Sequence, residues 1–340
     1  MPIPSATLEY ESTFQQLRYR TPSDTQQQND LSYNADNFNS RAFKYYIHSY
    51  NYVPEFSFNK IANEEELYLG CEIEIDKGGK SEEKAKFALD IINEKSEIAY
   101  CKYDGSLEDG FEIVTHPCTY EYHKSLNYMK LFDMLISKGY RAHDTTTCGL
   151  HIHINRNYFG EYKLDQDLCI SKMLYLFEKF WDKITLIARR NNNKYAQRFR
   201  LYDDETPLDI YAKSKNANKY GAINLSHKNS IEIRIFKGTL NKDTYFSTLE
   251  FVKVMANLAK ETDIYYIQRV VWEDISQKFS DELNKYIEDR IEKDITKMES
   301  KFNNIDSSIT IRNIIENNPV SSVDEFTSSF DRCVQVQVYP

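Results

Sequence analysis

Three short segments combine strand-like alternation with paired ionisable side chains, and this combination most limits how the chain can fold. Leu69–Ile75 carries two glutamates two positions apart, Gly149–Ile154 carries two histidines, and Ser230–Phe236 carries a glutamate and an arginine. Successive side chains of a β-strand point to opposite faces, so each pair shares one face and the isoleucines cover the other. A solvated strand face usually mixes Lys, Thr, Ser and Glu, but these polar positions hold only Glu, His and Arg. The pattern therefore favours a sheet with a functional polar face, although any one segment alone fits an ordinary half-buried strand.

A fourth segment adds two acids to this set. Lys102–Val114 contains Asp104 and Glu112, eight positions apart around a glycine-containing turn. A hairpin of that length can bring both side chains to the same end of the sheet. Taken alone, the segment fits a turn aspartate and an exposed strand glutamate equally well. With the three pairs, the candidate site residues are Glu72, Glu74, Asp104, Glu112, His151, His153, Glu232 and Arg234.

Convergence of the five acids in this set would require counter-charge. Two carboxylates ~5 Å apart repel by about 3 kcal/mol at an effective dielectric near 20, and five repel by several times that. Such a cluster needs divalent cations or large pKa shifts. Carboxylates with one imidazole suit Mg²⁺ or Mn²⁺ better than structural Zn²⁺, and five acids favour more than one ion. Carboxylate-held metals beside an arginine are typical of phosphoryl transfer.

Composition excludes several other classes of protein. The 340 residues carry a formal net charge of -9, which argues against a duplex-DNA binder that works by bulk phosphate attraction. No run approaches the roughly 20 apolar residues of a membrane helix, and Met1–Gln16 lacks the pattern of a secretion signal. The six cysteines form no Cys-x-x-Cys pair and are interpreted as reduced core residues. We therefore expect a cytoplasmic protein with no membrane or nucleic-acid partner.

The chain is predicted to be an α+β protein built on an antiparallel sheet flanked by helices, with a long C-terminal helix. No glycine-rich nucleotide-binding loop of the common types is present. Residues 1–44 are interpreted as a polar, partly flexible arm, 45–262 as the catalytic domain, and 263–340 as a helical extension and tail. The predicted strands are Leu67–Asp76, Ile98–Tyr103, Phe111–Thr115, Leu150–Asn155, Tyr220–Leu225, Ser230–Phe236 and Cys333–Val338. The predicted helices are 81–95 capped by Ser81, Tyr122–Lys138 stopped by Gly139, Gln166–Arg190, Thr244–Lys260 and Trp272–Phe302.

Taken in order, the motifs resemble those of the putative amidoligase family, carboxylate–amine ligases with a glutamine synthetase-like fold. The resemblance covers roughly Tyr45 to Lys260. The matching motifs are Gly70–Glu74, Tyr103–Ser106, Gly110–Pro117, Cys148–His153, Tyr220–Leu225 and Ile231–Arg234. It implies a curved sheet with ATP entering one end, two or three Mg²⁺ or Mn²⁺ ions, and amide formation through an acyl phosphate. The family is often encoded in phage or bacterial gene clusters.

The resemblance also implies a role for each candidate residue. One metal would be held by Glu74, Asp104 and Glu112, and the other, nearer the phosphates, by Glu72, His151 and Glu232. His153 would lie beside the phosphates and Arg234 on the transferred phosphoryl group. Asp104 departs from the family pattern, since glutamine synthetases carry a glutamate there, and its shorter arm favours coordination through water.

Basic residues between the histidine and Glu-x-Arg motifs are weaker candidates for binding ATP phosphate or a substrate carboxylate, the alternative being a basic solvated stretch. They are Arg189, Arg190, Arg198, Arg200 and Lys219. The expected partners are an amino acid, peptide or other carboxylate and an amine, and a homo-oligomer is possible. A metal-dependent phosphotransferase or hydrolase on the same fold, and a non-catalytic metal-stabilised scaffold, remain alternatives.

Overall fold

The described part of the chain is built on a mostly antiparallel sheet. The computed structural model describes residues 45–190, 195–198 and 220–302. Within these ranges seven strands pair in the order β1-β3-β4-β2-β5-β7-β6. β1 runs parallel to β3, and every other pair in this order is antiparallel. The strands are β1 (Ile47–His48), β2 (Leu69–Ile75), β3 (Ala99–Lys102), β4 (Phe111–Thr115), β5 (Leu150–Asn155), β6 (Ile223–Asn224) and β7 (Ser230–Ile233).

Helices accompany the sheet, which makes the described part of the chain a mixed α and β structure. They are α1 (Glu82–Ile92), α2 (Tyr120–Lys124), α3 (Tyr128–Ser137), α4 (Lys163–Lys179), α5 (Trp181–Ala188), α6 (Lys242–Glu261), α7 (Ile264–Arg269), α8 (Trp272–Ser276) and α9 (Asp281–Phe302). A short 3₁₀ turn, Arg156–Phe159, follows β5. The predicted strand pairs and the antiparallel sheet with helices are confirmed, whereas the curved, glutamine synthetase-like form stays a prediction. None of these helices combines the length and apolar character needed to cross a bilayer.

One face of the sheet is predominantly apolar and supports the core. Along β2 the residues between the polar positions are completely buried, and the same holds on β5 and β7. They belong to one hydrophobic cluster that includes side chains of the surrounding helices. Burying each such Leu or Ile stabilises the fold by about 1.5–3 kcal/mol, so the register that places them inward is strongly favoured. The opposite face is therefore left to the polar pairs.

Three predicted long helices are each divided in two, which corrects the sequence analysis. Tyr122–Lys138 is α2 and α3, Gln166–Arg190 is α4 and α5, and Trp272–Phe302 is α8 and α9. The last break lies at Ser280, whose hydroxyl accepts a hydrogen bond from the Leu283 amide and donates to the Glu250 carboxylate. These polar contacts stop one helix and start the next, although the apolar periodicity continues across the break.

Local signals at helix ends are confirmed. The Ser81 hydroxyl accepts from the Lys84 amide at the start of α1, as an N-cap residue does. Gly139 directly follows Lys138, the C-cap residue of α3. Its φ of +91° is a conformation that glycine adopts without strain. The predicted arm at 1–44 and the predicted strand Cys333–Val338 lie outside the described residues.

Candidate active site

The strand register brings the polar pairs onto one face of the sheet. Glu74 on β2 pairs directly with Glu112 on β4. On the other side of β2, Glu72 pairs with His151 on β5. His153 then pairs with Glu232 on β7. Residues directly opposite each other on neighbouring strands share a face, so these side chains form one continuous polar surface across four strands.

An all-carboxylate group lies at one end of this surface. Ligand oxygens of Glu74, Asp104 and Glu112 lie within 4.8 Å of one another. Glu74 and Glu112 are 4% and 3% exposed, so water can screen their charges little. The Lys102 ammonium lies 3.1 Å from Oε1 of Glu112, and the Gly149 amide donates to Oε2 of Glu74. We call Glu74, Asp104 and Glu112 the oxygen group.

The turn between β3 and β4 holds Asp104 in the oxygen group. The Asp104 carboxylate accepts from the amide and hydroxyl of Ser106, which fixes the carboxylate within the turn. The same turn is tied to the end of β2 by Asp76, which is fully buried. Asp76 accepts from the Glu108 and Asp109 amides at 3.1 and 2.6 Å. It also accepts from the Thr147 hydroxyl at 2.8 Å, which links the turn to the loop before β5.

A mixed group of carboxylates and imidazole lies beside the oxygen group. Glu72, His151 and Glu232 offer ligand atoms within 4.8 Å of one another. Nδ1 of His151 is 3.1 Å from Oε2 of Glu72 and 3.4 Å from Oε1 of Glu232. Nε2 of the same ring is 3.8 Å from Oε1 of Glu74, so His151 lies between the two groups. We call Glu72, His151 and Glu232 the mixed group.

His153 and Arg234 lie at the more accessible edge of the mixed group. Nε2 of His153 is 3.2 Å from Oε1 of Glu72, but the geometry is not that of a hydrogen bond, and this buried nitrogen has no hydrogen-bond partner among the described residues. The Arg234 guanidinium donates to Oε1 of Glu232. Arg234 follows β7 directly and stays in register, since its amide donates to the Ala222 carbonyl at 2.8 Å. Both side chains are about one-fifth exposed.

The charges of the two groups are strongly interdependent. Burial raises the pKa of Glu74, and burial together with Glu72 raises the pKa of Glu112 to about 8, against the effect of Lys102. Burial opposes protonation of His151, yet the carboxylates of Glu74, Glu72 and Glu232 raise its pKa to about 9. Without cations, the site therefore holds bound protons near neutral pH.

The two histidines act in the opposite direction on the mixed-group carboxylates. Burial alone would raise the pKa of Glu72, but the charges of His153 and His151 and the hydrogen bond with His151 hold it well below its usual range. Burial likewise opposes ionisation of Glu232, yet His227, His153 and His151 lower its pKa to about 2. These two carboxylates are thus anionic at neutral pH and available to a cation.

The residues present fit bound divalent cations. The oxygen group offers only carboxylates, the donors that Mg²⁺ and Mn²⁺ prefer, and the mixed group adds an imidazole. Buried carboxylates that need protons or cations to coexist, and an imidazole nitrogen without a hydrogen bond, are what a site shaped for cations provides. Metal ligation by these six residues is a proposal that the geometry supports.

The structure describes only some of the basic residues that are predicted to bind phosphate. The Arg198 guanidinium pairs with the Glu178 carboxylate and lies over the Trp181 ring, with 5.5 Å to its centroid. Its expected role toward ATP stays a prediction, and Arg200 and Lys219 lie outside the described residues. The Arg190 guanidinium donates to the Cys148 carbonyl. Burial lowers the pKa of Arg190, the Glu74 carboxylate opposes this effect, and the Arg234 guanidinium adds to it. Among the described residues, Arg190 is therefore a basic candidate whose pKa responds to the cluster.

Sequence reasoning missed several residues of the site. His227 lies in the loop between β6 and β7, with Nε2 3.0 Å from Oε2 of Glu232. Asn224 donates to the same oxygen at 2.7 Å. Gly149 approaches so closely that a Cβ there would lie 2.7 Å from Nε2 of His151. The spacing of Asn224, His227 and Glu232 across a short hairpin was the available signal, because a hairpin returns its ends to one place.

Comparisons with known proteins identify the family of this chain. No curated protein matches the chain. The crystal structure of the complex between prokaryotic ubiquitin-like protein Pup and its ligase PafA aligns at 14% identity with a TM-score of 0.33, covering 75% of this chain and 69% of that one. So low a TM-score carries no argument here. The family model described as putative amidoligase enzyme matches residues 23–256, which is more than half of the chain. The match begins within the predicted arm and spans both groups described above, and the chain belongs to the putative amidoligase family.

Proposed function

We propose that this amide-bond-forming ligase activates a carboxylate with ATP and transfers the resulting acyl group to an amine. Membership in the amidoligase family supports the bond that is made. The observation that carries the ATP-dependent part is that four carboxylates, two imidazoles and Arg234 share one sheet face, where the turn residue Asp104 adds a fifth carboxylate. Clustered carboxylates beside a guanidinium suit the binding of cations and a phosphoryl group.

The proposed chemistry has two steps. A carboxylate oxygen of the substrate attacks the γ-phosphorus of ATP, the bond to the bridging oxygen breaks, and an acyl phosphate and ADP result. The nitrogen of a neutral amine then attacks the acyl carbon, inorganic phosphate leaves, and the nitrogen passes one proton to a nearby carboxylate as the amide forms. No protein nucleophile is needed, so the chain acts by binding, orienting and stabilising charge.

The oxygen group and the mixed group are the proposed holders of two Mg²⁺ or Mn²⁺ ions. When bound, such ions neutralise phosphate charge and orient the phosphates. Glu74, Asp104 and Glu112 would hold one ion, and Glu72, His151 and Glu232 the other. The residues of β2 thus contribute to both sets, since Glu72 and Glu74 are two positions apart on the same face.

Arg234 is proposed to contact the transferred phosphoryl group directly, and His153 is proposed to lie beside the phosphates. Both lie at the accessible edge of the mixed group, and the Arg234 guanidinium is fixed by Glu232. A guanidinium placed on a transferred phosphoryl group offsets the charge that develops on its oxygens, which is typically worth 10³-fold or more in rate. Proposed substrates are an amino acid, peptide or other carboxylate and an amine.

ADP release in the presence of Mg²⁺, measured across pairs of amino acids and peptides, tests this proposal. We expect stoichiometric ADP, phosphate and amide only when both a carboxylate and an amine are present. Arg234→Gln should lower the rate by about 10³-fold, whereas Arg269→Gln, which alters an exposed arginine on α7, should not change it.

Other outcomes would point away from the ligase. Phosphorylated product without any amine would indicate a phosphotransferase, and phosphate release from ATP without either substrate would indicate a hydrolase. Unchanged biological activity in folded Glu72→Ala and Arg234→Gln variants would indicate a scaffold.

A further inference from the structure

Glu232 presents its two carboxylate oxygens to two different sets of ligands. Oε1 faces the mixed group, 3.4 Å from Nδ1 of His151. Oε2 faces His227, whose Nε2 lies 3.0 Å away. Ligand atoms of His153, His227 and Glu232 lie within 4.8 Å of one another. A second set of three ligands therefore adjoins the mixed group and shares only Glu232 with it.

The contact between His227 and Glu232 requires a positive centre between its atoms. An imidazole nitrogen without its proton and a carboxylate oxygen both carry lone pairs, so at 3.0 Å they repel unless a proton or a metal ion lies between them. Oε2 is additionally held by the Asn224 amide at 2.7 Å, which fixes the carboxylate for whichever centre is bound. The His227 side chain is 44% exposed, so the position is open to ions from solution.

The His153 ring is oriented with one nitrogen to spare. Nδ1 lies 3.2 Å from the Ser230 hydroxyl, a contact of the kind that fixes the ring of a metal-binding histidine. Nε2 is buried, lies 3.2 Å from Oε1 of Glu72, and lacks a hydrogen bond among the described residues. The rings of His153 and His227 lie edge to face with centroids 5.0 Å apart, so both can contribute to one centre.

We propose that His153, His227 and Glu232 form a further cation site that prefers a borderline transition-metal ion such as Zn²⁺ or Co²⁺ over Mg²⁺. Two imidazoles and one carboxylate form the donor set of a catalytic-type site with an open position. The oxygen group has no nitrogen donor and suits Mg²⁺ or Mn²⁺. The same polar surface thus carries cation sites of different chemical preference, and Glu232 connects this site to the mixed group.

Cobalt binding in excess Mg²⁺ tests the site without relying on turnover. The full chain is stripped of metals, saturated with Mg²⁺ and titrated with Co²⁺, while visible ligand-field absorption is recorded. We expect ligand-field bands typical of Co²⁺ with a low coordination number, and we expect added Zn²⁺ to abolish these bands. His227→Ala should weaken Co²⁺ binding by at least about 10-fold, and X-ray absorption should show one imidazole fewer on the ion.

Two further variants make the test specific. Glu112→Gln, in the oxygen group, and His143→Ala, at an exposed position, should both keep the Co²⁺ bands of the parent protein. The proposal is overturned if His227→Ala binds Co²⁺ with the parent's affinity and spectrum, which would show that the His227–Glu232 contact holds only a proton. It is also overturned if Mg²⁺ displaces Co²⁺, which would show that the site does not prefer a transition-metal ion. A parent protein that has no ligase activity but shows Co²⁺ bands that depend on His227 would count against the proposed function alone. A parent protein that has ligase activity but shows no such bands would count against this site alone.

Discussion

At the scale of single residues, Gly149 decides how closely Glu74 and His151 can approach each other. A Cβ at position 149 would lie 2.7 Å from Nε2 of His151 and 3.3 Å from Oε2 of Glu74. We therefore expect Gly149→Ala to displace a side chain from each proposed metal set and to weaken Mn²⁺ binding by at least about 10-fold. Isothermal titration calorimetry measures this directly.

A second glycine provides the matched control for this prediction. Gly105 is in the turn that carries Asp104, and a Cβ there would meet no atom within 4 Å. Gly105→Ala should bind Mn²⁺ as the parent does. Equal affinities for the two variants would show that close packing at Gly149 does not position the ligands.

The polar face could be anticipated from sequence because a strand has a period of two. Once Glu72 and Glu74 are placed on one strand, the apolar residues that alternate with them, Cys71, Ile73 and Ile75, fix which face is buried. Alternation says nothing about which strands are neighbours, so the direct pairing of Glu74 with Glu112 depended on the fold. His227 lies in a loop without a periodic pattern, and its contact with Glu232 depends on how the hairpin closes.

At the scale of elements, Asp76 joins the β3–β4 turn to the end of β2 and to the loop before β5. Asp76→Asn would place an amide N–H₂ among four donors, the amides of Lys77, Glu108 and Asp109 and the Thr147 hydroxyl. We expect a loss of about 2 kcal/mol in the free energy of unfolding, measured with urea. Asp90→Asn, at an exposed ion pair on α1, should cost less than about 1 kcal/mol. If Asp76→Asn has the same free energy of unfolding as the parent, Asp76 does not stabilise the fold by joining these elements.

His123 joins α2 to β2 and makes the fold sensitive to acid. Its Nε2 donates to the Leu69 carbonyl at 2.8 Å, so Nδ1 accepts from the Tyr128 hydroxyl, also at 2.8 Å. Complete burial lowers the pKa of His123 to about 4, against the effect of the Leu69 hydrogen bond. Between an unfolded value near 6.5 and about 4, the unfolded chain binds the extra proton, so the stability falls as the pH falls.

Replacing this histidine should therefore flatten the acid limb of the stability curve. His123→Gln should be less stable than the parent at pH 7, because two buried hydrogen bonds are disturbed, but should lose less stability between pH 6.5 and 4.5. Urea unfolding at several pH values gives both quantities. The His143→Gln variant, changed at an exposed position, should lose as much stability as the parent over this pH range. An equal loss in His123→Gln would show that His123 is not the source of the acid sensitivity.

Helix boundaries were less predictable than strand faces, for a physical reason. Ile275, Phe279 and Leu283 are all buried at helical spacing, so apolar periodicity alone joins α8 and α9 into one helix. The break depends on Glu250, a residue of α6 about thirty positions away, accepting from Ser280. A long-range polar contact of this kind leaves no periodic signal in the sequence.

At the scale of the whole molecule, the polar face opposes the stability that the apolar face supplies. The core side of the sheet is closed, whereas the other side crowds buried carboxylates that hold protons when no cation is present. A protein that binds divalent cations there should gain stability from them by mass action, since the unfolded chain has no comparable site.

This opposition predicts a stability that depends on pH and on metal together. The folded-state pKa values of Glu112 and His151, about 8 and about 9, both exceed their ordinary values. Between pH 6.5 and 9 the folded, metal-free protein therefore keeps protons that the unfolded chain releases, and its stability falls as the pH rises. We expect a loss of about 2 kcal/mol or more, equivalent to roughly 5 °C in melting temperature.

Divalent cations should reverse this trend, because they replace the protons and bind more tightly as the pH rises. The difference in melting temperature with and without saturating Mn²⁺, measured by calorimetry from pH 6.5 to 9, should increase with pH. Glu112→Gln removes one of the two titrating groups, so its metal-free protein should lose less stability over this range. A constant difference, or a metal-free protein that becomes more stable toward pH 9, would mean that these side chains do not share charge as the sheet register places them.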